Sequence, residues 1–507
     1  MTNIVRRTYI ISDLHLGGVY PDGKVPNDRG FRICTHAAEV AGFVDALTEL
    51  PVGAPPIELI VNGDLVDFLA ERDGVGDGWV AFTYDQQAAR AKLRAIIDRD
   101  KAVFDALARF LAKGHRLVIL LGNHDIELAM PTVRHELKIA LGVTTASDYT
   151  LIRDGEAYIV GDALVEHGNR YDAFNIVDYE RLNRHCQFLS RVQPSPADVF
   201  DAPPGSHMVA EVINPIKMQY KFIDLLKPEN GAVVPLLLTF EPGYRSVLGK
   251  VALIAAKRRA AMKAETGSES QAMSTRTVRA ERLGGFDSDG LLASDISSGG
   301  GGSRAETESE ALDALLTEEM GGEAGAVTGA VDRAVGNEAF ASDISSTSDF
   351  IDRTVGMARL LISSSSAGHD TRIDALYSAF RALQNDQTFN EGVEGAGEYI
   401  EAAKALATNG VKHVVFGHTH MPKKIALPSG GYYLNSGTWA DVMRVPKPVL
   451  AADKAAALPK LADFVGRLLK DDFSEFALFH PTYVRIDVLA NGETEPELVR
   501  YDPANPL

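Results

Sequence analysis

Val61-Asn62-Gly63-Asp64-Leu65-Val66-Asp67 closes an apolar run, begun at Leu59, with a glycine and then a carboxylate. A buried parallel strand that ends this way delivers an acid to the carboxyl end of a sheet, where open α/β folds place their ligands. A carboxylate has two oxygens, so Asp64 can bind two metal ions at once and hold them close enough to share a hydroxide. By itself a Gly-Asp pair marks an ordinary turn. Its weight comes from what stands on either side in the chain.

Upstream, Thr8 to Ile11 predicts a short buried strand running into Ser12-Asp13-Leu14-His15-Leu16-Gly17-Gly18. Asp-x-His sets a carboxylate and an imidazole on the same side of an extended segment. Between the two strands, Val40, Phe43, Val44 and Leu47 recur at helical spacing within Ala37 to Leu50. This predicts a β-α-β unit with acids after both strands. Asp85 to Leu111 predicts one helix or two, and Arg116 to Leu121 a third buried strand opening into Gly122-Asn123-His124-Asp125. Asn123 offers a neutral oxygen to a metal, and His124 can carry a proton. Ala157 to Val165 predicts a further strand, ending in Glu166-His167-Gly168-Asn169. Much later, Val411 to Phe416 predicts a strand ending in Gly417-His418-Thr419-His420, with Tyr432 to Leu434 and a closing strand pair within Leu478 to Val488 after it.

The candidate metal ligands are therefore Asp13, His15, Asp64, Asn123, His167, His418 and His420. Oxygen and nitrogen donors without thiolate suit manganese, iron or zinc rather than a structural zinc site. The set is too large for one ion and fits two, and two neighbouring ions can clamp the attacking and leaving oxygens of a displacement at phosphorus.

The chain has 507 residues, more than one typical domain, and is 45% hydrophobic, enough for a sizeable core. A formal charge of −18 argues against extended binding to nucleic acid. It leaves a phosphate substrate open, since bound cations set the local field. Cys34 and Cys186 are the only cysteines, so a reducing compartment is expected rather than a disulfide scaffold. No signal-like apolar core precedes Tyr9, and no window reaches the ~20 apolar residues of a spanning helix. A soluble, cytoplasmic protein is the expectation.

From Arg170 to about Thr408 the alternation of strand and helix is lost. Tyr179 to Val192, Met208 to Leu226 and Val233 to Lys263 predict helices, as do Arg372 to Leu383 and Gly397 to Ala407. The basic cluster Lys257, Arg258, Arg259, Lys263 follows the apolar Val251-Ala252-Leu253-Ile254. It fits a solvated helix face, or peripheral contact with the inner face of a membrane. Glu265 to Thr347, rich in Gly, Ser, Ala and Glu, predicts a flexible insert. The expected division is a core in two parts, 1–172 and 409–507, separated by a helical insertion 173–264, a low-complexity insert 265–350 and a helical return segment 351–408.

Asp13-x-His15, Gly63-Asp64-x-x-Asp67, Gly122-Asn123-His124-Asp125, His167-Gly168 and Gly417-His418-x-His420 together resemble the motif blocks of the calcineurin-like metallophosphoesterase superfamily, in that family's order. The resemblance spans about Ile10 to Asp172 and Val411 to Trp439. It implies a four-layer α/β/β/α sandwich carrying, here, a large, mainly helical insertion. Asp13, His15, Asp64 and His420 would hold a first divalent ion, manganese by preference. Asp64, Asn123, His167 and His418 would hold a second. His124 would serve the leaving oxygen, and Asp125 would orient His124. The implied activity is hydrolysis of phosphate mono- or diesters by a metal-bridging hydroxide, and the retained ligand set argues against a non-catalytic scaffold. Asn169 departs from relatives with Asp or His after His-Gly. The long insertion also resembles the cap of UDP-2,3-diacylglucosamine hydrolases, which would make a lipid-linked nucleotide the substrate and Arg170, Tyr171, Arg181 and Arg184 its contacts. His124 stands where those hydrolases carry Arg, which favours the more general phosphoesterase.

Overall fold

The computed structural model describes residues 4–18, 32–50, 55–72, 78–196, 199–240, 369–505 and 507. The basic cluster Lys257 to Lys263 and the insert Glu265 to Thr347 lie outside these residues. One sheet has six strands. At its centre β1 (Ile4–Ile11), β2 (Ile57–Asn62), β3 (Arg116–Leu120) and β4 (Tyr149–Ile152) run parallel. The C-terminal pair β13 (Thr482–Leu489) and β14 (Thr494–Arg500) adds on antiparallel beside β1.

A second sheet has β6 (Ala163–Val165), β8 (His413–Phe416) and β10 (Tyr432–Asn435) parallel at its centre. Antiparallel β5 (Tyr158–Val160) and β9 (Lys423–Ala426) form its edges. The single strand expected over Ala157 to Val165 is thus a hairpin, reversed at the turn dipeptide Gly161-Asp162.

Alternation along the strands sorts the side chains into layers. Ile10, Ile60 and Val118 of the first sheet pack against Val165, Val415 and Leu434 of the second, forming a core between the sheets. Their neighbours Tyr9, Ile11, Leu59, Val61, Leu117 and Ile119 face the other way, onto α1 (Ala37–Thr48), α2 (Gln86–Arg99), α3 (Lys101–Ala112) and α4 (Pro131–Ala140). Leu164, Val414, Phe416 and Tyr433 cover the far side of the second sheet with the helix Gly397–Leu406. The result is the four-layer α/β/β/α sandwich implied by the resemblance. The stretch Asp85 to Leu111, expected as one helix or two, is two, divided at buried Asp100, whose carboxylate accepts the Gly17 N–H (2.8 Å).

A fourth apolar cluster is separate. Ile216, Phe222, Leu226 and Leu237 of the insertion join Leu376 and Phe380 of the helix His369–Phe380. Met443, Leu461 and Phe464, read in sequence with the core, pack here instead. Their helix Lys454–Leu468 and the small sheet of β7 (Leu226–Lys227), β11 (Val442–Arg444) and β12 (Ala477–Leu478) tie the insertion to the C-terminal part of the sandwich. Among the described residues, no helix is long and apolar enough to cross a membrane.

Candidate metal centre

The carboxyl ends of β1, β2 and β3 in one sheet and of β6 and β8 in the other open at the same edge of the sandwich. Loop-to-loop hydrogen bonds lock them together. His15 N–H donates to Asp64 O (2.9 Å), Asp67 N–H to Leu16 O (2.9 Å), Phe68 N–H to His124 O (3.0 Å) and Gly417 N–H to His167 O (2.9 Å).

Asp13, His15, Asp64, His418 and His420 all adopt left-handed backbone, with φ between 44° and 67°. Non-glycine residues held there cost about 1–3 kcal/mol each and gather at functional sites. Gly63 (φ +85°) makes the turn before Asp64, and a Cβ on it would stand 2.3 Å from His167 Nδ1. Only glycine lets that ring come so close.

The side chains converge. His420 Nε2 lies 3.4 Å from Asp13 Oδ1 and 3.0 Å from His15 Nε2. Asp64 Oδ2 lies 3.8 Å from His15 Nε2 and 3.2 Å from His167 Nε2. Asp13-His15-His420, His15-Asp64-His124 and Asp64-His167-His418 are each compact enough to hold a cation. The buried atom Asn123 Oδ1 has no hydrogen-bond partner among the described residues. Buried acceptors are seldom left so, and Asn123 is expected to bind an ion. The donor set fits a divalent metal ion.

Neighbours fix the orientation of the rings. His167 Nδ1 is 2.8 Å from Asn62 O, so it donates there and leaves Nε2 as the nitrogen that could bind a cation. His418 Nε2 sits 3.2 Å from Asp172, leaving Nδ1 for the centre. Ser12 Oγ donates to Asp13 Oδ2 (2.5 Å) and lies 2.7 Å from Ser436 Oγ, while Thr438 Oγ1 donates to Asp13 O (2.7 Å).

Burial acts against the charge on Asp64, but His167, His124 and His15 outweigh it and hold its carboxyl well below the usual range. For His124, burial lowers and the carboxylates of Asp67 and Asp64 raise, leaving the ring pushed up to about 9. For His420 burial prevails, aided by the charge of Lys227, and lowers the ring to about 4, as suits a neutral ligand.

Asp125 does not meet the His124 ring. Its oxygens accept the N–H groups of Gly122 (2.7 Å) and Leu65 (2.8 Å), and burial pushes its carboxyl up to about 8. The carboxylate beside His124 Nδ1 is Asp67, at 3.2 Å; its other oxygen lies 3.3 Å from His15 Nδ1.

The four proposed substrate contacts do not join the cluster. Arg170 pairs with Glu166 (3.4 Å) and bonds Gly155 O, and Tyr171 donates to Glu166 (2.5 Å). Arg181 pairs with Asp178 (3.6 Å) and Arg184 is exposed, both on the outer face of α5 (Tyr179–Ser190), which buries Leu182, His185 and Cys186. The insertion reaches the centre through other residues. Buried Lys217 and Lys227 lie close enough for their charges to act on His124 and His420, respectively. No short motif marks either lysine; only the folded insertion brings them there.

The family model for calcineurin-like phosphoesterases matches residues 6–215. Neither the curated proteins nor the solved structures yield a match.

Proposed function

We propose that this chain, whose residues 6–215 match the family model for calcineurin-like phosphoesterases, hydrolyses phosphate esters with two divalent ions held around Asp64. Asp13, His15, Asp64 and His420 hold one; Asp64, Asn123, His167 and His418 hold the other. The observation that carries this reading is the placement of Asp64 between two compact ligand groups, one on each side. When bound, such a pair ionises water near neutral pH and neutralises charge gathering on phosphoryl oxygens.

The protein's own groups do the rest. Asp67 holds Nδ1 of His124 and so leaves Nε2 to face the substrate. His124 would give its proton to the leaving oxygen as the P–O bond breaks and water adds to phosphorus. Lys227 adds positive charge on the side of the insertion, which favours an anionic substrate. Protein loaded with Mn2+ should turn over bis-p-nitrophenyl phosphate or p-nitrophenyl phosphate, and stripped protein should not. Equal turnover by stripped and loaded protein would overturn the proposal.

A further inference from the structure

Asn123 and His418, both assigned to the second ion, come from different sheets, on the loops after β3 and β8. One short segment at the start of the insertion, Asp172 to Asn175, touches both. Asp172 Oδ2 lies 3.2 Å from His418 Nε2 and accepts Asn175 Nδ2 (2.7 Å). Asn175 Oδ1 in turn accepts Asn123 Nδ2 (3.3 Å).

Donors and acceptors run one way along this chain. An ionised carboxylate only accepts, so Asp172 takes a proton from His418 Nε2 and another from the Asn175 amide. Asn175 must then turn its oxygen to Asn123. Asn123 answers with its nitrogen, which leaves its buried Oδ1, unpartnered among the described residues, for a cation. Turned over, the same amide would offer N–H groups to the ion and bind nothing.

Asn175 is itself held from two sides. Its carbonyl accepts Nδ2 of buried Asn169 (2.8 Å), the position at which the sequence departs from the family pattern; an ionised aspartate there would have no proton to donate. On the other side is the helix Pro204–Met208 of the insertion. Its Gly205 N–H donates to Phe174 O (2.8 Å), and a Cβ on Gly205 would stand 2.3 Å from Asn175 Oδ1.

We infer that Asn175 is a positioning residue for the second ion, turning Asn123 Oδ1 toward it and tying that ligand to His418 through Asp172. The insertion, by seating Gly205 on Asn175, thereby sets the affinity of the second site. The inference rests on the metal-centre reading above. Its test is Mn2+ titration calorimetry on the chelator-stripped full chain.

Asn175→Ala should weaken the second ion about 10- to 100-fold and leave the first unchanged. Gly205→Ala should do the same, although alanine favours a helix, because its methyl group displaces Asn175 Oδ1. In a His418→Ala background, where the second ion is already lost, Asn175→Ala should change Mn2+ binding no further; in a His420→Ala background it should weaken the ion that remains. Circular dichroism of the stripped proteins checks each fold, and Gly205→Ala decides if Asn175→Ala does not fold. Wild-type affinity at both sites in the folded variants, or a further loss in the His418→Ala background, would overturn the inference. Fewer than two ions in wild type would overturn the metal-centre reading, and the inference with it.

Discussion

Replacing Gly122 by alanine adds one methyl group where the β3 loop passes Asp64. Gly122 is outside the left-handed region, so the backbone accepts alanine and any effect is steric. The new Cβ would lie 2.1 Å from Asp64 Oδ1 and 2.7 Å from its backbone nitrogen, about 1.3 Å and 0.7 Å inside the 3.4 Å at which ordinary contact begins. Asp64 has little room to yield: it is buried, its Oδ1 accepts the His124 N–H (2.8 Å), and its carbonyl accepts the His15 N–H (2.9 Å). Metal–ligand distances hold to about 0.2 Å, so a displacement several times larger removes Asp64 as a shared ligand. Gly122→Ala should lose at least one ion per chain by elemental analysis after Mn2+ loading and dialysis. Turnover of bis-p-nitrophenyl phosphate should fall about 100-fold or more. Gly466→Ala, in the helix Lys454–Leu468 with nothing within 4 Å of its Cβ, is the control and should stabilise by about 0.5–1 kcal/mol. Wild-type metal content and turnover in Gly122→Ala would refute the steric reasoning and the role given to Asp64.

His124→Ala should keep its metal, while kcat on an alkyl phosphate with a poor leaving group falls about 100- to 10,000-fold; p-nitrophenyl substrates, whose leaving group needs no proton, should lose much less. Chelation should lower the melting temperature and re-addition of Mn2+ restore it, because an ion binding only the folded state stabilises by about 4 kcal/mol at a thousandfold excess over its dissociation constant. Burial raises the Glu127 carboxyl from 4.5 to about 7, against the opposing Thr83 N–H and Lys92. A folded-state value above the unfolded one gives stability that is fully present below pH 4.5 and lost as pH rises through about 7. Glu127→Gln should therefore remove a decline on the order of 3 kcal/mol from melts taken across that window.

The sandwich and the ligand loops were legible because their signals are local: an apolar strand, then a glycine and a donor, several times over. What stayed hidden depends on how loops meet. Asp67 lies in a motif that was read, yet its place beside His124 comes from hydrogen bonds joining the Leu16, Asp67 and His124 loops. Asp125, next to His124 in sequence, turns to the N–H groups of Gly122 and Leu65 instead. Arg170 and Tyr171 follow a ligand closely, but the 3-10 turn Asn169–Tyr171 carries them to Glu166. Strand β14 went unread because Glu495, Pro496 and Glu497 break the apolar alternation. Lys217 and Lys227 carry no sequence signal, since burial in the insertion alone brings them to the centre.

The most direct test of the central claim is the number of Mn2+ ions bound per chain by wild type and by Asp64→Asn, counted by titration on chelator-stripped protein whose fold is checked by circular dichroism. Two ions for wild type and fewer than two for the folded variant are expected. One ion or none for wild type, or two tightly bound ions in Asp64→Asn, would contradict a pair of cations held around a shared carboxylate.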